Sequence, residues 1–240
     1  MKYKRVEKGT FLSRPNRFVA KVMVEGKEQT AHVKNTGRCR ELLLPGCTVY
    51  LEDHKDSMGK RKYRYSLITV EKDTPSGILL INMDSQSPNK AAAEALADGR
   101  IRIPGMSELA VIKPESTFGN SRFDFYIQDN DGRSGFIEVK GCTLENEGVA
   151  SFPDAPTERG VKHIEELISA GGEGYSATLL FIVQMKGMKY IRPNDVTHPA
   201  FGEALRKAAE KGVNVIAYEC EVRPDELTVL KNIPVDLKVR

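Results

Sequence analysis

The sequence predicts an α/β protein of two domains, a small β-barrel over residues 1–83 and a mixed α/β domain over residues 84–240. Residues 1–83 contain short β-rich segments separated by turns, whereas helical and extended segments alternate after them. The charge changes at about the same place. Residues 1–80 carry 17 Lys and Arg against 9 Asp and Glu, and residues 81–240 carry 19 against 24. This asymmetry favours a polyanion-binding module at the N-terminal end, although it is also compatible with an ordinary solvated surface.

The composition excludes several classes of protein. With 40% hydrophobic residues and a net charge of +3, the chain is not intrinsically disordered. No apolar run approaches the roughly 18 residues of a membrane helix, and the basic N-terminus lacks the apolar segment of a secretory signal. The four cysteines are scattered without a CxxC pair, which argues against a zinc knuckle or a thioredoxin-like motif. We therefore expect a soluble, cytoplasmic protein with reduced thiols and no membrane partner.

The first domain is predicted from four or five short strands, a number that suits a small barrel. The expected strands are residues 18–24, 29–33, 48–52, 63–71 and 78–81. Glu25-Gly26-Lys27 and Pro45-Gly46 supply turns between them. An OB-like barrel fits both the strand number and the charge, and an SH3-like barrel fits almost as well.

The second domain is predicted to begin between Asn82 and Pro88, where the sequence is polar and turn-prone. Its expected elements are a helix (89–98), three strands (109–113, 122–128, 135–140), a helix (157–170), a strand (177–183), a helix (201–211) and a strand (213–218). Residues 177–183 are continuously apolar, as in a buried central strand. The final strand–helix–strand step favours a parallel pair in the sheet.

Asp124, Glu138 and Lys140 form the sharpest candidate site. Asp124 interrupts an aromatic strand, and Glu138 and Lys140 project from one face of the next strand because they are two residues apart. A hairpin through Asp129–Gly132 would bring Asp124 close to Glu138. Two carboxylates suit a hard divalent cation, with the Val139 carbonyl as a further ligand, and a lysine neutralises charge on a phosphoryl group. The alternative is a surface ion pair of Glu138 with Lys140 or Arg122.

These residues lie in segments that resemble a known family. The segments are SRFDFYIQ, SGFIEVKGCTL, FPDAPTERGVKHIEEL and FIVQM, preceded by RFVAKVMVEG and HVKNTGRCRELLLPG. They resemble the sugar fermentation stimulation protein (SfsA) family. The resemblance implies an N-terminal OB-like domain and a C-terminal domain of the PD-(D/E)XK nuclease superfamily. It also implies DNA binding, a link to the regulation of sugar utilisation genes, and an inferred nuclease activity.

The resemblance also assigns roles to residues of this chain. The superfamily aspartate maps onto Asp124, and the (D/E)XK motif maps onto Glu138-Val139-Lys140, while Phe123 replaces the usual proline. Many members of the superfamily add a glutamate from the helix before the three strands. Glu94 is the natural candidate for it, and Glu115 is the rival; either is also compatible with a solvated surface residue.

Basic residues predict where a nucleic acid would bind. In the barrel they are Arg14, Arg17, Lys34, Arg38 and Arg40, and at the start of the helix over 157–170 they are Arg159 and Lys162. Phosphate contacts from such side chains give affinity without reading bases. For the helix, the alternative is that its first turn is only capped and that its charged side chains face solvent. Gln184, which ends the apolar run, would either face the site or meet solvent.

The leading hypothesis is a DNA-binding protein with a nuclease site that uses Mg²⁺, or Mn²⁺, held by Asp124 and Glu138. Lys140 would stabilise charge, and Glu94 would be an additional catalytic acid. The second hypothesis is a non-catalytic, DNA-binding transcriptional regulator on a nuclease scaffold. A third, an RNA-directed module, stays open because both kinds of domain also act on RNA.

Overall fold

The computed structural model describes residues 1–35, 37, 39–119 and 121–239. Over these ranges the order of elements is six strands, a helix, five strands, a helix, two strands, a helix and two strands. A short 3₁₀ turn at Lys55–Ser57 lies within the first group. No helix in the described ranges is both long and apolar enough to span a membrane.

The first six strands form a barrel. They are β1 (Val6–Asn16), β2 (Val19–Val24), β3 (Lys27–Val33), β4 (Thr48–Asp53), β5 (Tyr65–Thr74) and β6 (Gly77–Asn82). Their order is β3-β2-β1-β4-β5-β6, and β3 also pairs in parallel with β5. This extra pairing closes five strands into a ring and leaves β6 outside it. The ring is the OB-like barrel that the sequence predicted, rather than the SH3-like alternative.

The sequence did not predict β1, which lies between β2 and β4. Only Gly9 and Phe11 are buried in this strand, so its apolar alternation is too weak to detect. Gly9 sits where three strands approach closely. A Cβ atom there would lie 2.9 Å from the Met23 carbonyl oxygen and 3.1 Å from Leu51 Cδ1. The missing side chain therefore permits β1 to complete the ring.

The remaining elements build a second, larger sheet. Its strands are β7 (Leu109–Phe118), β8 (Ser121–Asp129), β9 (Ser134–Cys142), β12 (Ser176–Val183), β14 (Asn214–Arg223) and β15 (Glu226–Ile233). The order is β15-β14-β12-β9-β8-β7. The central strands β9, β12 and β14 are parallel, which confirms the predicted parallel pair, and the outer strands are antiparallel.

Three helices cover the two faces of this sheet. They are α1 (Ser87–Ala97), α2 (Glu158–Gly172) and α3 (Pro199–Glu210). Along β12, Leu179, Phe181 and Val183 belong to the core on the side of α2 and α3. The intervening Leu180 and Ile182 belong to the core on the side of α1. The two-residue period of a strand thus explains why the whole apolar run is buried.

Four strands of the second half were not predicted. Three of them, β10 (Leu144–Asn146), β11 (Val149–Phe152) and β13 (Tyr190–Pro193), form a small separate sheet. They contain only three or four residues each, too few to show a period. The fourth, β15, is an edge strand in which buried and exposed residues alternate incompletely.

The barrel and the second half pack directly against each other. Buried barrel residues share one continuous apolar cluster with the α2 and α3 side of the second sheet. The chain passes from β6 to α1 through residues 83–86. Gln184 is buried here and donates from Nε2 to the Asn82 carbonyl at 2.9 Å. The division into domains 1–83 and 84–240 stays a prediction.

The close approach at Gly9 yields a stability prediction. Gly9→Ala would force a Cβ atom against a backbone carbonyl, so we expect it to lower the free energy of unfolding by about 1–3 kcal/mol. Gly172→Ala is the matched control, since apart from the adjoining residues and the backbone of its own helix no described atom lies within 4 Å of the position that its Cβ would take. In α2 the same substitution should be neutral or stabilising by up to about 1 kcal/mol. Urea denaturation of both variants checks this; equal effects would contradict the packing argument.

Candidate functional site

The candidate site lies where β8 separates from β9. The two strands pair from Gln128–Ser134 to Phe125–Ile137, and Asp124 and Glu138 would be the next pair. Beyond that point β8 pairs with β7 alone, as at Ser116–Phe123. The Asp124 carboxylate replaces the lost strand partner, because its Oδ2 accepts a 2.7 Å hydrogen bond from the Val139 amide. Asp124 is thereby fixed beside Glu138, as the hairpin predicted.

Glu138 lies in a buried polar cluster on the α2 side of the sheet and is only 3% exposed. Its Oε1 accepts a 2.7 Å hydrogen bond from Lys140 Nζ and a short one from His163 Nδ1. Its Oε2 is buried and has no hydrogen-bond partner among the described residues. Burial is the largest influence on the Glu138 pKa and raises it, but His163 and Lys140 together outweigh burial and lower it. Glu138 is therefore held as a carboxylate with one oxygen available.

Asp124 has the opposite electrostatic environment. Its Oδ1 accepts a 2.6 Å hydrogen bond from Asn89 Nδ2 in the first turn of α1. Burial, followed by the negative charge of Glu138, raises the pKa of Asp124 despite its hydrogen bonds. Two neighbouring carboxylates with pKa values pushed apart are characteristic of functional sites.

His163 connects the cluster to the start of α2. Thr157 caps this helix by accepting a 3.1 Å hydrogen bond from the Gly160 amide. Arg159 Nε donates to His163 Nε2 at 3.3 Å. Since arginine has no acceptor, His163 Nε2 must accept, and Nδ1 must carry the proton shared with Glu138. Arg159 and His163 thus form a chain of hydrogen bonds that orients Glu138.

The structure places the two candidate additional acids elsewhere. Glu94 is 55% exposed, and its carboxylate lies 2.7 Å from the N-terminal amine of Met1, which also donates to the Leu227 carbonyl on β15. Three strand spacings, roughly 14 Å, separate β15 from β9. Glu115 is 72% exposed and lies 3.6 Å from Arg122. The side chain that α1 brings to Asp124 is instead Asn89, and a catalytic role for Glu94 stays a prediction.

The predicted basic residues of the barrel fall into two groups. Lys34 and Arg14 contact protein atoms: Lys34 forms a 2.7 Å ion pair with the buried Asp84, and Arg14 donates to backbone carbonyls, including those of residues 17, 35 and 37. Arg17 and Arg40 are exposed, and Arg17 lies 4.7 Å above the ring of Phe18. Arg38 lies outside the described residues. Exposed basic side chains suit contact with a ligand better than those already bonded to protein atoms.

On α2, Arg159 and Lys162 are both exposed, as the prediction of a phosphate contact requires. An i,i+4 pair of Glu158 with Lys162 was the alternative, but Lys162 instead lies 3.8 Å from Glu166, and Glu158 lies 3.1 Å from His198. Gln184 is only 2% exposed, and its amide is bonded to the segment joining β6 to α1 rather than to the carboxylates.

Sequence reasoning did not identify His163 and Asn89 as site residues. His163 had a detectable signal: it lies four residues before Leu167 and seven before Ala170, so it occupies the apolar, sheet-facing side of the helix. A histidine there needs a buried partner. Asn89 had no such signal, because its contact with Asp124 depends on how α1 docks onto the sheet.

The donor set suits a hard cation better than a transition metal. Among the described residues, no group of three or more His, Cys, Asp and Glu side chains is arranged to hold a metal ion. Asp124 and Glu138 supply carboxylate oxygens, of which Glu138 Oε2 is buried and unpartnered. Mg²⁺ commonly uses one or two carboxylates and completes its shell with water and phosphate oxygens. The residues therefore fit a Mg²⁺-type site.

Comparisons with known proteins identify relatives over nearly the whole chain. The family model "Sugar fermentation stimulation protein RE domain" matches residues 86–226, and "SfsA N-terminal OB domain" matches residues 12–81. The sugar fermentation stimulation protein homolog of Alkaliphilus oremlandii is 50% identical over 99% of this chain and 100% of the relative. That of Desulfitobacterium hafniense is 55% identical over 95% and 94%. The solved structure of Pyrococcus furiosus SfsA in complex with Ca²⁺ has a TM-score of 0.85 and 28% identity, covering 98% of each chain.

The raised pKa of Asp124 predicts a stability change without metal. A carboxyl group whose folded-state pKa lies above its unfolded value destabilises the fold once pH exceeds both. Asp124→Asn removes this penalty, and its side-chain oxygen can still accept from the Val139 amide. Its NH₂ group can donate to Asn89 once the Asn89 amide has rotated to present its oxygen. In EDTA at pH 7 we expect Tm to rise by a few degrees, since 1 kcal/mol shifts Tm by roughly 2–4 °C in a chain of this size.

The gain should shrink as pH falls towards 4, because wild-type Asp124 then becomes protonated. Thermal melts of both proteins across that range measure the difference. A lower Tm for Asp124→Asn at both pH values would contradict the assigned electrostatic penalty.

Proposed function

The chain belongs to the sugar fermentation stimulation protein family, and we propose that it is a DNA-binding protein with a divalent-cation-dependent phosphodiesterase site. Asp124, Glu138 and Lys140 would form this site. The observation that carries the proposal is the buried, unpartnered Oε2 of Glu138. A buried carboxylate oxygen without a partner is unfavourable in the isolated protein, and a bound cation would satisfy it.

Asp124 and Glu138 would hold the cation, with the Val139 carbonyl as a further ligand. The related Pyrococcus furiosus protein has been solved in complex with Ca²⁺, another hard cation that takes oxygen ligands. We propose Mg²⁺, or Mn²⁺, as the ion that supports the reaction here. When bound, such an ion stabilises negative charge on a phosphate and activates water for attack.

Each protein group has a separate role in this proposal. Lys140 Nζ, held 2.7 Å from Glu138, would place a positive charge beside the phosphate that reacts. His163 would keep Glu138 charged and orient its free oxygen. Arg17, Arg40, Arg159 and Lys162 would contact the DNA backbone. Lys34 and Arg14 would instead shape the barrel loop, because both bond to protein atoms.

The second candidate is a non-catalytic, DNA-binding transcriptional regulator linked to sugar utilisation genes. It is favoured by the absence of a three-acid metal cluster among the described residues. In that case the carboxylate pair would hold an ion structurally or not at all. An RNA substrate is a third candidate, which the same assay addresses.

A cleavage assay separates these candidates. We expect cleavage of labelled single- or double-stranded DNA in Mg²⁺ or Mn²⁺ and none in EDTA. Asp124→Ala and Glu138→Gln each remove a ligand of the proposed cation, and Lys140→Met removes the positive charge beside the phosphate, so each should reduce the rate by at least about 10²-fold. Asp73→Asn and Lys186→Met remove the same charges at exposed positions outside the site and should retain the wild-type rate.

Parallel RNA substrates test the third candidate, and Glu94→Gln tests the additional acid. DNA binding without cleavage under any metal condition would contradict the phosphodiesterase proposal and support the regulator. Cleavage that survives Asp124→Ala and Lys140→Met would place the activity elsewhere.

The orienting role of His163 is tested by cation affinity. His163→Leu removes the donor to Glu138, and we expect Mn²⁺ affinity, measured by electron paramagnetic resonance, to fall about 10–100-fold. His163→Asn should retain most of the affinity, because its Nδ2 can occupy the position of the imidazole Nδ1. Equal loss in both variants, at equal Tm, would contradict an orienting hydrogen bond.

A further inference from the structure

A cleft of about 460 Å³ lies between the barrel and the second sheet. Arg17, Asn35 and Gly37 line it from the barrel, and residues 152–157 line it from the other side. Its wall also includes Gly141, the residue after Lys140, and Thr157, which caps α2. The cleft therefore adjoins the candidate site, because Gly141 directly follows Lys140 and Thr157 caps the helix that carries His163.

Gln184 presents a fixed hydrogen-bond acceptor to this cleft. Its Nε2 lies 2.9–3.2 Å from four protein acceptors: the Asn82 carbonyl, Asn82 Oδ1, the Asp84 carbonyl and Ser87 Oγ. Turning the amide over would set Oε1 against these oxygens, so its orientation is determined. Oε1 lies on the opposite side, 2.6 Å from where a Cβ atom on Gly141 would stand. None of the four hydrogen bonds of the Gln184 side chain uses Oε1, so this oxygen is left to accept a hydrogen bond from the cleft.

A fixed acceptor that faces a cleft of this size suits a ligand with an N–H group. The volume lies in the lower part of the range of small-molecule pockets and suits one nucleoside. A volume that suits one nucleoside is too small to hold a base-paired duplex. In a duplex the Watson–Crick N–H groups are already paired, whereas an unpaired base offers them to a protein acceptor.

The mouth of the cleft adds two features that suit a nucleotide. Arg17 is exposed there and can contact a phosphate. The Phe18 ring beside it is 44% exposed, so it offers a stacking surface for a neighbouring base.

We propose that this cleft binds one unpaired nucleobase of a DNA strand, which donates an N–H group to Gln184 Oε1. The proposal deepens the proposed function and rests on it for the choice of DNA as ligand. The substrate would then be single-stranded DNA, or duplex DNA with an unpaired base. The unpaired base would bind next to the phosphate that reacts.

Binding in EDTA tests the cleft without requiring cleavage. Full-length protein is titrated, by fluorescence anisotropy, with a single-stranded oligonucleotide, the same sequence as a perfect duplex, and that duplex with a one-base bulge. We expect at least tenfold tighter binding to the single strand and to the bulged duplex than to the perfect duplex. Equal affinity for all three would overturn the proposal.

A cleft-filling variant localises the effect. Ala155→Trp adds an indole to a half-buried position in the cleft wall, and we expect it to weaken single-strand binding at least tenfold. Ala97→Trp is the matched control; Ala97 is exposed and lines a different cavity of about 540 Å³ near the end of α1. Wild-type single-strand affinity in a folded Ala155→Trp protein would overturn the proposal.

An oligonucleotide of abasic residues gives a readout that needs no protein variant. Its phosphates are intact, so loss of at least tenfold in affinity supports recognition of the base, and unchanged affinity overturns it. If these binding results hold while no DNA is cleaved in Mg²⁺ or Mn²⁺, the phosphodiesterase proposal fails and the base-binding cleft stands.

Discussion

The hydrogen bond from the Val139 amide to Asp124 Oδ2 determines the geometry of the candidate site. It forms where β8 stops pairing with β9, so a side-chain carboxylate replaces a backbone carbonyl as the partner of a strand amide. Buried backbone amides must be paired, and the carboxylate meets this requirement while staying at the end of the shared ladder. A one-residue shift in the hairpin would move Asp124 away from the Val139 amide and separate it from Glu138.

The groups around this hydrogen bond shift the pKa values of the two carboxyl groups in opposite directions. His163 and Lys140 lower the pKa of Glu138 against the effect of burial, and burial together with Glu138 raises the pKa of Asp124. The arrangement therefore stores unfavourable electrostatic energy, which a cation would relieve. Proteins tolerate such strain where function needs it and compensate through the rest of the fold. Around the site, the barrel and the α2 side of the sheet share one apolar core, whose burial stabilises the fold.

Local patterns in the sequence predicted the OB-like barrel, the order of elements around the second sheet and the meeting of Asp124 with Glu138. Each of these depends on strand alternation, turn residues or the length of one hairpin. The features that escaped prediction depend on long-range packing. Asn89 meets Asp124 across 35 positions of sequence, Lys34 meets Asp84 across 50, and Gln184 reaches Asn82 across 102. No local pattern encodes such pairings.

Glu94 shows that a local pattern can also suggest a contact that long-range packing does not form. Its position in the helix before the three strands matched the family pattern, yet the docking of α1 turns it to Met1 and presents Asn89 to Asp124. A helix places one face on the sheet, and which residue reaches a given strand end depends on the rotation and depth of packing.

The proposed chemistry requires that Asp124 and Glu138 together bind one divalent cation. Anomalous diffraction from crystals grown with Mn²⁺ would locate such an ion. We expect one strong anomalous peak within about 2.0–2.5 Å of Glu138 Oε2 and of an Asp124 carboxylate oxygen. A fully occupied Mn²⁺ bound elsewhere, with Glu138 Oε2 still buried and without a partner, would contradict it.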